Sequence, residues 1–272
     1  MDIKKGDIVG RKSYNKDIFF RVHDIIKNDK NEYLAILKGI AVRIEADSPI
    51  SDLEIIEERT AQKLLLQLDQ ELEERKYILY NKQKELLSKR FHEYYGRILH
   101  LDGDKKYSDK SQKFYKNMGI DAVVKNITES KQPKMVSYLL GKYNPDVLVI
   151  TGHDGMIKKG FKYNDIYNYR NSKYFIESVL EARKWERETN KLAIFAGACQ
   201  SYYEAIMEAG ANFASSPARI LIDFKDPLIV AERISTTDHN IYLTIDDLKR
   251  DLRDGENGIS GIGSLGKKIE LF

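Results

Sequence analysis

The chain has 272 residues, 42% hydrophobic and 32% charged, which fits a soluble protein with room for more than one domain. A net charge of +3 is too small to argue for nucleic acid, and no apolar run approaches the roughly 18 residues of a membrane helix. The first residues, Met1-Asp2-Ile3-Lys4-Lys5-Gly6-Asp7, lack the apolar stretch of a signal peptide, and a single cysteine excludes an internal disulfide and makes reducing, intracellular synthesis the default.

Residues 1–57 carry short apolar runs separated by turn chemistry. Strand candidates are Asp7-Ile8-Val9-Gly10, Ile18-Phe19-Phe20-Arg21-Val22, Tyr33-Leu34-Ala35-Ile36-Leu37 and Ala41-Val42-Arg43-Ile44. Tyr14-Asn15-Lys16-Asp17 and Lys27-Asn28-Asp29-Lys30-Asn31 separate them, so a small β-barrel of SH3-like type is expected, either a docking module or a structural cap. Residues 58–94 read as one long helical linker without Gly or Pro. Leu65, Leu68, Leu72, Leu79 and Leu86 make a partial heptad that Arg75 and Lys82 interrupt, which favours packing on the chain's own domains over a dimeric coiled coil.

From residue 95 to 272 strands and helices alternate, the pattern of a doubly wound, mostly parallel α/β sheet. The expected strands are Arg97–Leu101, Ala122–Val124, Val147–Thr151, Leu192–Ala196 and Ala211–Ala214. The expected helices are Ser111–Met118, Pro133–Tyr143, Ser172–Glu188 and a short one from Gln200 to Gly210. Ser172–Glu188 would bury Phe175, Ile176, Val179, Leu180 and Trp185 on one side. Beyond Pro217 apolar segments recur at Arg219–Phe224 and Ile241–Ile245, and the Gly/Ser-rich tail Gly255–Gly266 reads as mobile.

Two runs end in chemistry. Val147–Thr151 leads into Gly152-His153-Asp154-Gly155, and Leu192–Ala196 into Gly197-Ala198-Cys199-Gln200. Right-handed crossovers make such strands parallel, so the imidazole and the only thiol meet at one sheet edge, where open α/β sheets keep their sites. Cys199 is the candidate nucleophile and His153 the general acid/base. A helix starting at Gln200 and an imidazolium nearby would lower the thiol pKa below the roughly 8.5 of a free thiol. The backbone N–H groups of Cys199 and Gly155 are candidate oxyanion donors, with Gly152 the alternative to Gly155. The opposing reading is an inert core thiol. His153 precedes Cys199 by close to the roughly 50 residues separating the two in caspases.

Those two motifs resemble the caspase-like cysteine peptidases, the group that includes clostripain, gingipain, separase and metacaspases. Gly6-Asp7-Ile8-Val9-Gly10-Arg11-Lys12-Ser13-Tyr14, Thr151–Gly155 and Gly197-Ala198-Cys199-Gln200-Ser201-Tyr202-Tyr203 are similar, more closely, to the sporulation-specific cysteine proteases of the YabG family. The resemblance implies a caspase-like peptidase domain with no cofactor, and a Cys199–His153 dyad. It implies protein substrates of the spore coat and related spore proteins, and synthesis in the mother-cell cytoplasm with association with the coat. It also implies that the end of the first strand lines the pocket for the side chain before the cut. Asp102 or Asp104 there would select Arg over Lys, against an Asp-Gly turn as the plain reading.

Two rivals stand beside this. An amidotransferase or DJ-1-like elbow around Cys199 would take its base from downstream, where only His239 qualifies. A non-enzymatic spore scaffold would use the barrel and long helix alone. Tyr167, Tyr169 and Arg170 are candidates for a substrate-facing loop, and Asp223, Asp226 and Asp238 are the fallback acids for the pocket. No metal-ligand spacing, phosphate loop or dinucleotide fingerprint is present.

Overall fold

The computed structural model describes residues 3–28, 31–67, 70, 93–157 and 162–270. The N-terminal unit is an antiparallel sheet of β1 (Ile8–Arg11), β2 (Phe19–Lys27), β3 (Tyr33–Gly39), β4 (Glu45–Pro49) and β5 (Leu53–Ile55), in the order β4-β3-β2-β1-β5. Alternation places Phe20 and Val22 inside while Arg21 and His23 face out, and Val9, Ala35, Leu37 and Leu53 complete the core. The expected strand at Ala41–Ile44 is absent from this sheet. β3 ends at Gly39, where a Cβ would stand 2.4 Å from the Val42 carbonyl, so only glycine permits the tight turn. The chain then leaves the sheet, and Arg43 is fully buried against the second unit.

Residues 58–67 are helical, here α1. Leu68, Leu72, Leu79 and Leu86, and with them the heptad question, lie outside the described residues.

The second unit contains β6 (Glu93–Tyr94), β7 (Ile98–Asp102), α2 (Lys105–Asn117), β8 (Ala122–Asn126), α3 (Gln132–Tyr143), β9 (Val147–Thr151), α4 (Ser172–Trp185), β10 (Ala193–Ala196), α5 (Tyr203–Glu208), β11 (Phe213–Ser215) and α6 (Asp226–Thr236). There follow β12 (Tyr242–Leu243), α7 (Ile245–Leu248), β13 (Ile259–Gly261), β14 (Ser264–Leu265) and β15 (Ile269–Glu270). The main sheet runs β13-β11-β10-β9-β7-β8, with β8, β7, β9, β10 and β11 parallel and β13 antiparallel at the edge.

The central strands are mostly apolar because both faces of the sheet are covered, with His100, Asp102 and Thr151 as buried polar exceptions on β7 and β9. Ile98, Val147, Val149, Phe195 and Phe213 pack with residues of α2 and α6, including Phe114, Tyr115, Leu228 and Ile234. Leu99, Leu101, Leu148, Ile150 and Ile194 pack on the other face with Val136, Leu140, Phe175, Val179 and Ile206 of α3, α4 and α5. Each such buried side chain contributes about 1.5–3 kcal/mol. The strand order reverses between β7 and β9, so their connections leave in opposite directions and open a crevice at their carboxyl ends.

Several expectations need correction. Asp104 caps α2, which therefore starts at Lys105 rather than Ser111. α4 stops at Trp185, and Leu180 and Trp185 stay 45% and 39% exposed, because the covered stripe is Phe175, Val179 and Ala182. The Gly/Ser-rich tail is built into the sheet as β13: a Cβ on Gly261 would stand 2.1 Å from the Asn212 carbonyl, so glycine here permits strand contact rather than mobility.

Candidate active site

At the carboxyl end of β7, Asp102 is wholly buried. Its Oδ1 accepts the Asp104 N–H at 2.8 Å, and its Oδ2 accepts the Thr151 hydroxyl at 2.7 Å. The same Oδ2 lies 2.9 Å from Nη2 of Arg43, itself wholly buried. The guanidinium also lies 5.0 Å from the Tyr107 ring centre and 5.7 Å from that of Phe224. Thr151 has one hydroxyl proton and gives it to the carboxylate. His100 Nε2, 2.7 Å from the same oxygen, must then donate, and His100 Nδ1 accepts from Tyr115. Burial, reinforced by the Arg43 charge, holds His100 neutral, well below its usual pKa. Asp102 and Asp104 are thereby separated. Asp102 faces a guanidinium, whereas Asp104 Oδ1 accepts the Lys106 and Tyr107 N–H groups as a helix cap.

His153 stands two residues beyond β9, buried, with its ring 5.9 Å from that of Tyr107. Both ring nitrogens are buried without a hydrogen-bond partner. Burial first, then the Lys38 charge, push its pKa down to about 4. The closest carboxylate is Glu129, whose Oε1 accepts the His153 backbone N–H at 2.8 Å and lies 3.9 Å from Nδ1. Glu129 is legible only indirectly in the sequence: a Cβ on Gly103 or Gly152 would come within 2.1 or 2.4 Å of its carboxylate, so those glycines make its berth. Burial raises the Glu129 pKa.

Asp154 ties the loops together. Its Oδ1 accepts the Gly155 and Asn171 N–H groups, and its Oδ2 accepts the Ser172 and Ser201 hydroxyls. Ser201 Oγ in turn accepts the Ala198 N–H, beside Cys199. Burial lifts the Asp154 pKa to about 6 against these hydrogen bonds. The Gly155 N–H, a candidate oxyanion donor, is taken up by Asp154 Oδ1. The Asp154 N–H instead meets a carbonyl, that of Arg43, at 3.2 Å.

Cys199 is wholly buried. Its Sγ accepts the Ile222 N–H at 3.3 Å, with the Ile222 carbonyl at 3.8 Å, so the apolar segment after Pro217 is a loop over the thiol rather than a strand. The expected acidic thiol is not found. α5 starts at Tyr203, not Gln200, and Gln200 adopts a left-handed φ of 56° that breaks any helix at the sulfur. Burial outweighs the backbone hydrogen bonds from Ile222 and Arg43 and pushes the thiol up to about 11. The resting pair is thus a thiol and a neutral imidazole. Iodoacetamide alkylation of the intact chain should accordingly show a midpoint well above the roughly 8.5 of a free thiol. A midpoint at or below that value would contradict the buried geometry.

The His153 shift has a stability consequence. Its folded pKa lies below the usual 6.5, so the native state binds fewer protons than the unfolded chain between the two values. That contribution is complete above pH 6.5 and is lost as pH falls through about 4. Asp154, raised from 3.8 to about 6, acts with the opposite sign: its contribution is present below 3.8 and lost as pH rises through about 6. In denaturant titrations between pH 6.5 and 4, His153→Gln should lose less stability on acidification than the parent chain; an unchanged slope would contradict a neutral buried imidazole.

The other candidates have partners of their own. His239 is half exposed beyond α6 and donates its N–H to the Lys268 carbonyl. That segment joins the chain preceding β7 through Gly96 and Ser235, so His239 sits toward the amino edge of the sheet, opposite Cys199. Asp226 heads α6, with its Oδ1 accepting the Arg253 N–H, and Asp238 bridges to Lys268. Tyr167 is 87% exposed, Tyr169 stacks on Tyr202 at 5.1 Å, and Arg170 lines the cleft beside Gln200 and pairs with Asp47.

Comparison with known proteins covers nearly the whole chain. A family model described as YabG peptidase U57 matches residues 4–271. The "Sporulation-specific protease YabG" of Bacillus subtilis (strain 168) is 38% identical over 279 residues, covering 98% of this chain and 96% of that protein. No solved structure matches.

Proposed function

This chain belongs to the YabG peptidase U57 family, and from that premise we infer that it is a cysteine endopeptidase of sporulation that cuts spore proteins, including those of the coat, after arginine. Cys199 is the nucleophile and His153 the proton carrier. The observation that carries this reading is that Arg43 meets both the Cys199 thiol, through its backbone, and the buried Asp102 carboxylate, through its side chain, with the His153 ring beside Tyr107, over whose face the guanidinium lies. The thiol proton passes to His153 as Sγ attacks the substrate carbonyl, and the imidazolium then protonates the leaving amine. The Asp154 N–H faces the developing oxyanion, with the Cys199 N–H as the second donor. Water hydrolyses the thioester and returns the proton. Glu129 orients His153 from its Nδ1 side.

Asp102 forms the floor of the pocket, and Tyr107 and Phe224 supply its walls. Asp102→Asn should cost an Arg substrate about 2–5 kcal/mol in kcat/KM, the range for truncating one partner of a buried charged pair, and a Gln analogue much less. Asp104→Asn keeps a good helix cap and should leave selectivity intact, while Asp104→Ala should cost about 1 kcal/mol of stability with the same selectivity. Matched Arg, Lys and Gln peptides test both. An unchanged Arg preference in Asp102→Asn would move the pocket elsewhere.

A further inference from the structure

Behind the Asp102 carboxylate stands a row of polar groups that the cleavage chemistry does not use. Asp102, Thr151, His100 and Tyr115 are all wholly buried. Alternation along β7 puts Ile98, His100 and Asp102 on the face that α2 covers, and Thr151 is the register partner of Asp102 on β9. The Tyr115 hydroxyl lies 3.2 Å from His100 Nδ1, His100 Nε2 lies 2.7 Å from Thr151 Oγ1, and Thr151 Oγ1 lies 2.7 Å from Asp102 Oδ2.

Each proton in this row has one direction. Burial raises the Tyr115 pKa, so its hydroxyl keeps its proton and donates it to Nδ1. The His100 proton then sits on Nε2, where the Asp102 carboxylate, 3.8 Å away, favours it. Nε2–H fills a lone pair of Thr151 Oγ1. The Thr151 proton goes to Asp102 rather than to the Leu101 carbonyl, which stands farther off at 3.4 Å. In the other tautomer Nε2 would take the Thr151 proton and leave the hydroxyl lone pairs facing the carboxylate.

A row built only for stability would look different. The backbone ladder already joins β7 to β9, and four buried polar groups add little over apolar ones filling the same space. What the row fixes is the carboxylate. A carboxylate has about four lone-pair sites. The Asp104 N–H takes one on Oδ1 and the Thr151 hydroxyl one on Oδ2, which holds the carboxylate plane against rotation. The remaining sites stay open to a guanidinium, and Nη2 of Arg43 stands 2.9 Å from Oδ2. A planar guanidinium fork needs that fixed plane, whereas an ammonium acts as a point charge and does not.

We propose that Thr151 is a positioning residue for substrate selection and that His100 and Tyr115 act through it, the row orienting Asp102 so that arginine is preferred over lysine. The inference rests on the reading of Asp102 as the floor of the pocket.

The test measures kcat/KM for matched Arg, Lys and Gln peptides on Thr151→Val, Thr151→Ser, His100→Phe and Tyr115→Phe, with Asp102→Asn as the control and melting temperature as the check of fold. Thr151→Val should slow the Arg peptide on the order of 10-fold, the low end for losing one hydrogen bond to a charged group, the Lys peptide less and the Gln peptide least. Thr151→Ser should restore the Arg preference. His100→Phe and Tyr115→Phe should show smaller losses of the same kind. Thr151→Val combined with His100→Phe should lose no more Arg preference than Thr151→Val alone, and should melt higher because no Nε2–H is left unpaired. Nitrogen NMR of the histidine-labelled chain, assigned with His100→Phe, should find the His100 proton on Nε2. Equal losses on all three peptides overturn the proposal and leave the pocket standing. So does an Arg preference kept in Thr151→Val but lost in Asp102→Asn, or a His100 proton on Nδ1. An Arg preference that survives Asp102→Asn removes the pocket and the proposal with it, and a wild-type chain that cuts none of the peptides overturns the peptidase reading as well.

Discussion

Cys199→Ala is expected to abolish peptide cleavage, lowering kcat by on the order of 10⁶ as for removal of the nucleophile from other peptidases. The fold should survive, because the change deletes one sulfur from a site whose neighbours are Ala198, Ile222 and the apolar core of the N-terminal sheet. His153→Ala should cost nearly as much, and the double variant little more than either single one, since nucleophile and base act as a unit. His239→Ala should retain activity, because that imidazole lies toward the other edge of the sheet. Substantial cleavage by well-folded Cys199→Ala would remove the thiol from the mechanism. Loss of activity in His239→Ala with retention in His153→Ala would restore the elbow-type reading.

Asp154→Ala is expected to have the largest effect on stability. It strips a common acceptor from the Gly155 and Asn171 N–H groups and the Ser172 and Ser201 hydroxyls, all at one buried point. Breaking such a network should cost about 3–5 kcal/mol, or on the order of 10 °C in Tm for the second unit. Activity measured well below Tm should also fall, because Asp154 holds the His153 loop against Ser201, which in turn holds the Ala198 N–H beside Cys199. Asp154→Asn keeps one acceptor oxygen and should be milder on both readouts. A melting temperature unchanged in Asp154→Ala would mean that these four donors find water instead.

The two candidate positions, His153 and Cys199, were legible because each follows an apolar strand in a β–α–β order, and that order alone places them at one edge. The remainder depended on contacts far apart in the chain. Arg43 reads locally as an outward residue of a strand, and nothing near it announces a carboxylate from β7. Glu129 left only the trace of two glycines, at 103 and 152, that make room for it. α6 has no visible helical period because residues 226–232 are buried on all sides, although Pro227 near its start was available as a signal. The thiol's acidity was misread because three residues, Gln200 to Tyr202, separate Cys199 from the first turn of α5. Asp102 and Asp104 were not separable without the cap geometry.

The central claim is that Cys199 attacks substrates whose arginine is held by Asp102. It is tested most directly by incubating the active protein with a peptidyl-arginine chloromethyl ketone and locating the adduct by peptide mass. The account predicts one adduct, on Cys199, formed in step with loss of activity, protected by an Arg peptide and strongly slowed in Asp102→Asn. A protein inactivated with its label on another residue, or labelled at Cys199 equally fast by the arginine and glutamine ketones, would contradict it.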